Sequence, residues 1–255
     1  MDSGLQGAAV RGGAERGATV DLCFPHRWQA EILAARPLIL PSRHFVYPRE
    51  VEEIERGALE VLVHPGAQKR SSEQLNRSQV LYQGTTSVGP QTPQKGDWAS
   101  TPAGSSSENS PGLSPLPLKK DAQPFLATCA LGFRDPVVPT GIWSTPNPDE
   151  LCAVSGGYAY LIDTTTPEHF TRIPYRPVLE IRPVVEQGLL LFVGHHAILA
   201  WGSGGLAWES EKLSDEGVTI SGIEGGVLRG VGWEMRSDLE KAFAVELRTG
   251  AQLQM

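Results

Sequence analysis

Three apolar segments recur at a fixed interval in the C-terminal half of the chain, and this interval restricts the fold more than any other feature. "LCAVSGGYAYLID" begins at Leu151, "LLLFVGHHAILAW" at Leu189 and "VLRGVGWEM" at Val227, a step of 38 residues. Gly156, Gly194 and Gly232 fall at equivalent positions; so, without a gap, do Leu151 and Leu189, Ala159 and Ala197, Leu161 and Leu199. The flanking segments "VLEIRPVV" and "GVTISGI" keep the same step to within about one residue. A period near 40 with three or four strands per unit is the size of a β-propeller blade. Each unit would be a small twisted sheet with two apolar faces that need neighbours to cover them. The predicted fold class is therefore all-β: an antiparallel, β-propeller-like array of ~38-residue blades. A β-sandwich or open barrel with hairpins of similar length is the alternative.

The rest of the chain supports many short strands. Its 28 glycines and 20 prolines favour tight turns, because glycine reaches positive φ and proline presets turn dihedrals. "FLATCALGF", "GIWST", "LAWES" and "AFAVELRTG" read as further strands, and only "TPEHF" and "SDLEK" could support a helical turn. Towards the N-terminus, "TVDLCF" and "PLILPSRHFVYP" read as strands cut by proline, and "ALEVLVHP" alternates with period two. One short helix is predicted near 49–56, where Pro48 precedes an acidic first turn and Gly57 follows the end.

Residues 1–17 read as a disordered tail, and residues 68–122, rich in Ser, Pro, Gln and Gly, as a disordered insert. Residues 18–67 plus 123–255 then form a single β-rich repeat domain with the insert as an expanded hairpin loop. A linker between two domains is the alternative. Without tail and insert roughly 180 residues remain, about five units of this size. An array that does not close exposes a sheet face and strand edges, which favours self-association. Within the insert, "SPLPLKK" has the form of a polyproline ligand and "NRS" that of a glycosylation acceptor, the latter irrelevant without secretion.

The segment "GFRDPVVPTGIWSTPNPDELCAVSGGYAYLID", with "AWESEKLSDEG" further on, resembles an uncharacterised family of bacterial β-rich proteins made of propeller-blade-like units. The resemblance spans about residues 18–67 and 123–250. It implies a propeller-like fold, but no activity or catalytic residues. "AW…G" and "LRTG" are also similar to the blade ends of quinoprotein-type repeats, a match too short to imply a quinone cofactor.

A net charge of −7 without a basic stripe argues against nucleic-acid or anionic-membrane partners. No run reaches the ~18–20 apolar residues of a membrane span. The N-terminus has no continuous apolar core of a signal peptide. Cys23, Cys129 and Cys152 form no CxxC pair and read as buried free thiols. A cytoplasmic protein is the resulting expectation.

No Gly-rich phosphate loop, HExxH, EF-hand loop or GxSxG elbow occurs, and no catalytic residue, metal site or cofactor is assigned. His195 and His196 are the sharpest candidates. On a strand they would point to opposite faces, so they read as hairpin-turn residues, with a ligand or partner contact as the functional alternative. Arg134 in "FRDP" and Arg176 in "IPYRP" sit beside prolines, where arginine ties loops down or binds an acidic ligand. Trp201 and Trp233, like Trp143 and Trp208, read as packing residues that could also form contact platforms. Glu50, Glu52, Glu53 and Glu55 read as a solvated helix face, and Asp149-Glu150 and Asp215-Glu216-Gly217 as turns. The predicted function is a non-catalytic protein- or ligand-binding domain, with a protein partner or a second copy as the expected partner. A propeller-type hydrolase or lyase, and a carbohydrate or small-anion binder using Trp and Arg, are the alternatives.

Overall fold

The computed structural model describes residues 17–48, 57–66 and 123–254, which belong to one compact unit. The helix predicted over 49–56, the insert 68–122 and the tail up to residue 16 lie outside the described residues. Within them the chain is all-β, with no α-helix and one 3₁₀ turn at Val185–Gln187. No helix among them is long and apolar enough to cross a membrane.

The strands are β1 (Thr19–Asp21), β2 (Trp28–Leu33), β3 (His44–Tyr47), β4 (Ala58–Pro65), β5 (Phe125–Ala130), β6 (Gly141–Ser144), β7 (Glu150–Ser155), β8 (Tyr158–Asp163) and β9 (Phe170–Arg172). They continue with β10 (Glu180–Val184), β11 (Leu189–Val193), β12 (Ile198–Gly202), β13 (Gly205–Glu209), β14 (Glu216–Glu224), β15 (Val227–Glu234), β16 (Leu239–Glu246) and β17 (Gln252–Leu253). Four sheets result. In chain order they are β2-β4-β5-β3, then β1-β6-β7-β8-β9, then β10-β11-β12-β13, then β14-β15-β16-β17. Pairing is antiparallel except for two short parallel pairs, β1 with β6 and β3 with β5. β4 and β5 are direct neighbours, with Val63 opposite Phe125, so strands from both sides of residues 67–122 share one sheet.

Strand alternation sorts the side chains into three cores. Leu151, Ala153, Tyr160 and Ile162 of the second sheet face Trp28, Val61, Phe125 and Ala127 of the first. The alternate positions Cys152, Val154, Ala159 and Leu161 face Leu190, Phe192, Leu199 and Trp201 of the third sheet. Leu189, Leu191, Val193, Ile198 and Ala200 then face Val218, Ile220, Leu228, Phe243 and Val245 of the fourth. Period-two alternation thus gives each middle sheet two buried faces, which is why β7, β11 and β12 are apolar at almost every position. The sheets are stacked in chain order, and no core cluster among the described residues joins the first sheet to the last.

Aromatic tips tie each junction. Tyr47 Oη donates to the Pro167 carbonyl at 2.7 Å and Tyr160 Oη to that of Ala130 at 3.1 Å, across the first junction. Trp201 Nε1 donates to Glu150 across the second, and Trp208 Nε1 to the Leu247 carbonyl at 2.7 Å across the third. Rings that bury their apolar body while the polar tip finds an acceptor suit such seams.

Several elements differ from expectation. "PLILPSRHFVYP" is a strand only over His44–Tyr47; Pro37 to Arg43 form an excursion in which Leu38 and Ile39 are 104% and 89% exposed. Prolines at both ends of that apolar run remove ladder donors. "WQAEIL" was not among the expected strands, although it alternates; Trp28 points into the core and Gln29 out. The described residues form four sheets where chain length over the period gave about five units, because the second sheet takes β1 as a fifth strand and residues 34–43 join no strand.

Candidate functional site

The three aligned glycines mark one end of the stack, where each inter-sheet connection crosses a hairpin. A Cβ on Gly156 would lie 2.3 Å from the Phe133 carbonyl oxygen, one on Gly194 2.8 Å from the Tyr175 ring, and one on Gly232 2.3 Å from the Leu213 carbonyl oxygen. Phe133, Tyr175 and Leu213 belong to the three connections that enter the second, third and fourth sheets. Absence of a side chain lets the incoming backbone close over the hairpin. Gly156 and Gly194 lie in or beside turns, whereas Gly232 pairs within β15 opposite Val218 and Lys241.

Five of the six candidate residues lie on the hairpins and connections of this end, spread over three sheets. Arg176 lies over the Tyr158 ring at 5.4 Å, and Phe133 meets the same ring edge-on at 5.9 Å. Arg134 follows Phe133 and is exposed, as is Arg176. His195 and His196 occupy the bend between β11 and β12, with ring centroids 6.2 Å apart. The His196 carbonyl accepts from Leu213 N at 2.7 Å, and its Nδ1–H donates to the Ser214 carbonyl at 3.2 Å. Trp233, half-buried near the end of β15, donates to Asp238 at 3.1 Å. A cleft of about 290 Å³ beside it is lined by Lys212, Asp215, Trp233, Glu234 and Lys241. Its charges are paired: Lys212 holds Asp215 below the usual carboxylate range, aided by Met235 N–H, and Lys241 with Ser237 does the same for Glu234. Tyr175 donates to Glu209 at 2.8 Å, and burial followed by that carboxylate pushes its phenol up.

Trp201 stands apart, at the opposite end. It is buried, and its indole N–H reaches Glu150 Oε2 at 2.8 Å, so it presents no stacking platform. The turn expected at Asp149-Glu150 gives way to the start of β7, where Glu150 is half-buried. Burial raises its carboxyl pKa, against the lowering by hydrogen bonds from Trp201 and Thr145. A cleft of about 620 Å³ opens here, lined by Asn147, Glu150, Asp163, Glu168 and His169. Asp163 already accepts from Thr165 N at 2.8 Å and Thr166 N at 3.1 Å, closing its own loop.

One further constellation joins residues that no sequence motif links. Thr128 Oγ1 donates to Glu60 Oε2 at 2.6 Å, and His44 Nε2 lies 2.8 Å from the same hydroxyl. The hydroxyl has one proton, so His44 must supply its own N–H to the oxygen. Burial, then Arg36, lowers the His44 pKa, while Glu60 works the other way. Acid, hydroxyl and base stand in line, but Thr128 is fully buried and Glu60 nearly so, which fits a polar lock between β3, β4 and β5. The signal was Glu60 itself, a carboxylate inside "ALEVLVHP". Among the described residues no group of three or more His, Cys, Asp or Glu side chains could hold a metal ion. Comparison with protein-family models, curated proteins and solved structures finds no match for this chain.

Proposed function

We propose that the chain is a non-catalytic binding domain, a propeller-like array of four blade-like sheets whose loop-bearing end captures a protein partner. The observation that carries this is the Phe133–Tyr158–Arg176 stack, an exposed cation on paired aromatic rings. Such a surface recognises a segment that offers a carboxylate beside an apolar side chain. The 38-residue step, with Leu189 and Val227 opening β11 and β15, supports the repeat. Cys23 is exposed, contrary to the expectation of three buried thiols, but the buried thiols of Cys129 and Cys152, both pushed up by burial, go with a reducing, cytoplasmic setting.

Capture of native partners on the immobilised full chain, beside a Phe133→Ala/Arg176→Ala double variant, tests it. A stoichiometric partner retained by the parent and lost from the variant is expected; an unchanged set of captured proteins would overturn it. A second reading, a small-ligand site, is favoured by the raised Glu150 carboxyl in the 620 Å³ cleft. Its sign would be a thermal shift with a small cationic or polyhydroxylated ligand that Glu150→Gln removes.

A further inference from the structure

We propose that the outward face of the fourth sheet is where two copies of this chain pair. The side chains of Val218, Ile220, Leu228, Phe243 and Val245 face the third sheet, so the alternate positions of β14, β15 and β16 face away. Register arranges those outward residues in three rows. Thr219, Val231 and Ala242 form the middle row; Arg229, Ala244 and Leu253 lie to one side; Glu216, Trp233 and Glu240 lie to the other. Thr219, Arg229, Glu216, Glu240, Ala242 and Leu253 are exposed. Neither Arg229 nor Glu240 has a side-chain partner among the described residues.

The occupant follows from the pattern. A two-fold axis lying in the face, across the strands at the middle row, reverses strand direction between the copies. Arg229 of each copy then meets Trp233, Glu216 and Glu240 of the other, so both charges and the indole find complements twice. Thr219 and Ala242 are exposed and small enough for two sheets to reach the ~10 Å spacing of face-to-face packing, while Ala244 is already covered within its own sheet. A face with one cation and two carboxylates suits neither nucleic acid nor an anionic membrane. Its footprint, about 20 Å on a side from strand spacing and length, gives about 800 Å² over both copies, below the range of stable interfaces and within that of weak, transient ones. A dissociation constant on the order of micromolar is therefore expected.

The test is the mass of the full chain by sedimentation equilibrium or light scattering, across roughly 1 to 100 µM in low salt. Mass should climb from one chain towards two. Arg229→Glu should weaken pairing at least tenfold, and Arg229→Glu/Glu240→Arg should recover most of it. Ala242→Arg, at an exposed site, should dissociate the pair by bulk, with near-ultraviolet dichroism reporting the fold of every variant. A chain that stays monomeric throughout, a pair indifferent to Arg229→Glu and Ala242→Arg, or a charge swap without recovery would overturn the proposal.

Discussion

Trp201 of the third sheet donates its indole N–H to the Glu150 carboxylate of the second, at 2.8 Å, across a seam that is otherwise apolar. Trp201→Phe removes the donor together with part of the packed indole, leaving the carboxylate one bond short beside a small void. A loss of about 1–3 kcal/mol in urea unfolding is expected. Equal midpoints for parent and variant would show that the bond contributes nothing.

Glu150 also sets a pH response. Its folded pKa lies above its ordinary 4.5, so the native state binds the proton more tightly than the unfolded chain. Its contribution therefore becomes less favourable as pH rises from 4.5 through the raised folded value. Glu150→Gln should narrow the difference in melting temperature between about pH 5 and pH 7 in the direction that favours the variant at pH 7.

His44 acts in the opposite sense. Its folded pKa lies below 6.5, so beneath that pH the unfolded chain binds more protons. Stability through this group is complete above 6.5 and falls as pH drops towards the folded value. Denaturant midpoints at about pH 5.5 and 7.5 should lie further apart in the parent than in His44→Gln.

Thr128→Val should expose the value of the lock directly. The substitution keeps shape and leaves Glu60, 6% exposed, without its 2.6 Å donor. A cost of about 1–3 kcal/mol is expected from chemical denaturation, and a smaller one when Glu60→Gln accompanies it.

The aligned glycines should rank by what they touch. Gly194→Ala meets a half-buried tyrosine side chain, which must shift against its bond to Glu209, whereas Gly232→Ala meets a backbone carbonyl. About 1 kcal/mol for the first and about 3 kcal/mol for the second is the expected order, read from thermal unfolding. A reversal would mean that the fourth sheet yields at Leu213.

Alternation made much of this fold legible. Val154, Ala159 and Leu161, like Phe192 and Leu199, could be assigned to a buried face before their neighbour was known. What alternation cannot encode is which sheet supplies the cover, so the Glu150–Trp201 contact, between residues 51 positions apart, had no sequence signal. Composition misled at "PLIL", where apolar side chains lie in a strand-breaking proline frame. The glycine alignment pointed to a real crossing of chain over hairpin, but Gly232 differs from its counterparts because β15 runs eight residues and turns later. The Phe133–Tyr158–Arg176 stack joins residues from three separate segments, and only its arginine was singled out beforehand.

Sheets whose cores, among the described residues, join only sequence neighbours melt like a row of coins, from the ends inward. Second and third sheets lose two cores when they open; the fourth loses one, with Leu228, Phe243 and Val245 as its share. Amide hydrogens of β14 to β17 should therefore exchange by a cheaper local opening than those of β7 or β11. Joining two copies through their fourth sheets would move the loose end to the middle of the row, and cooperativity would then depend on protein concentration.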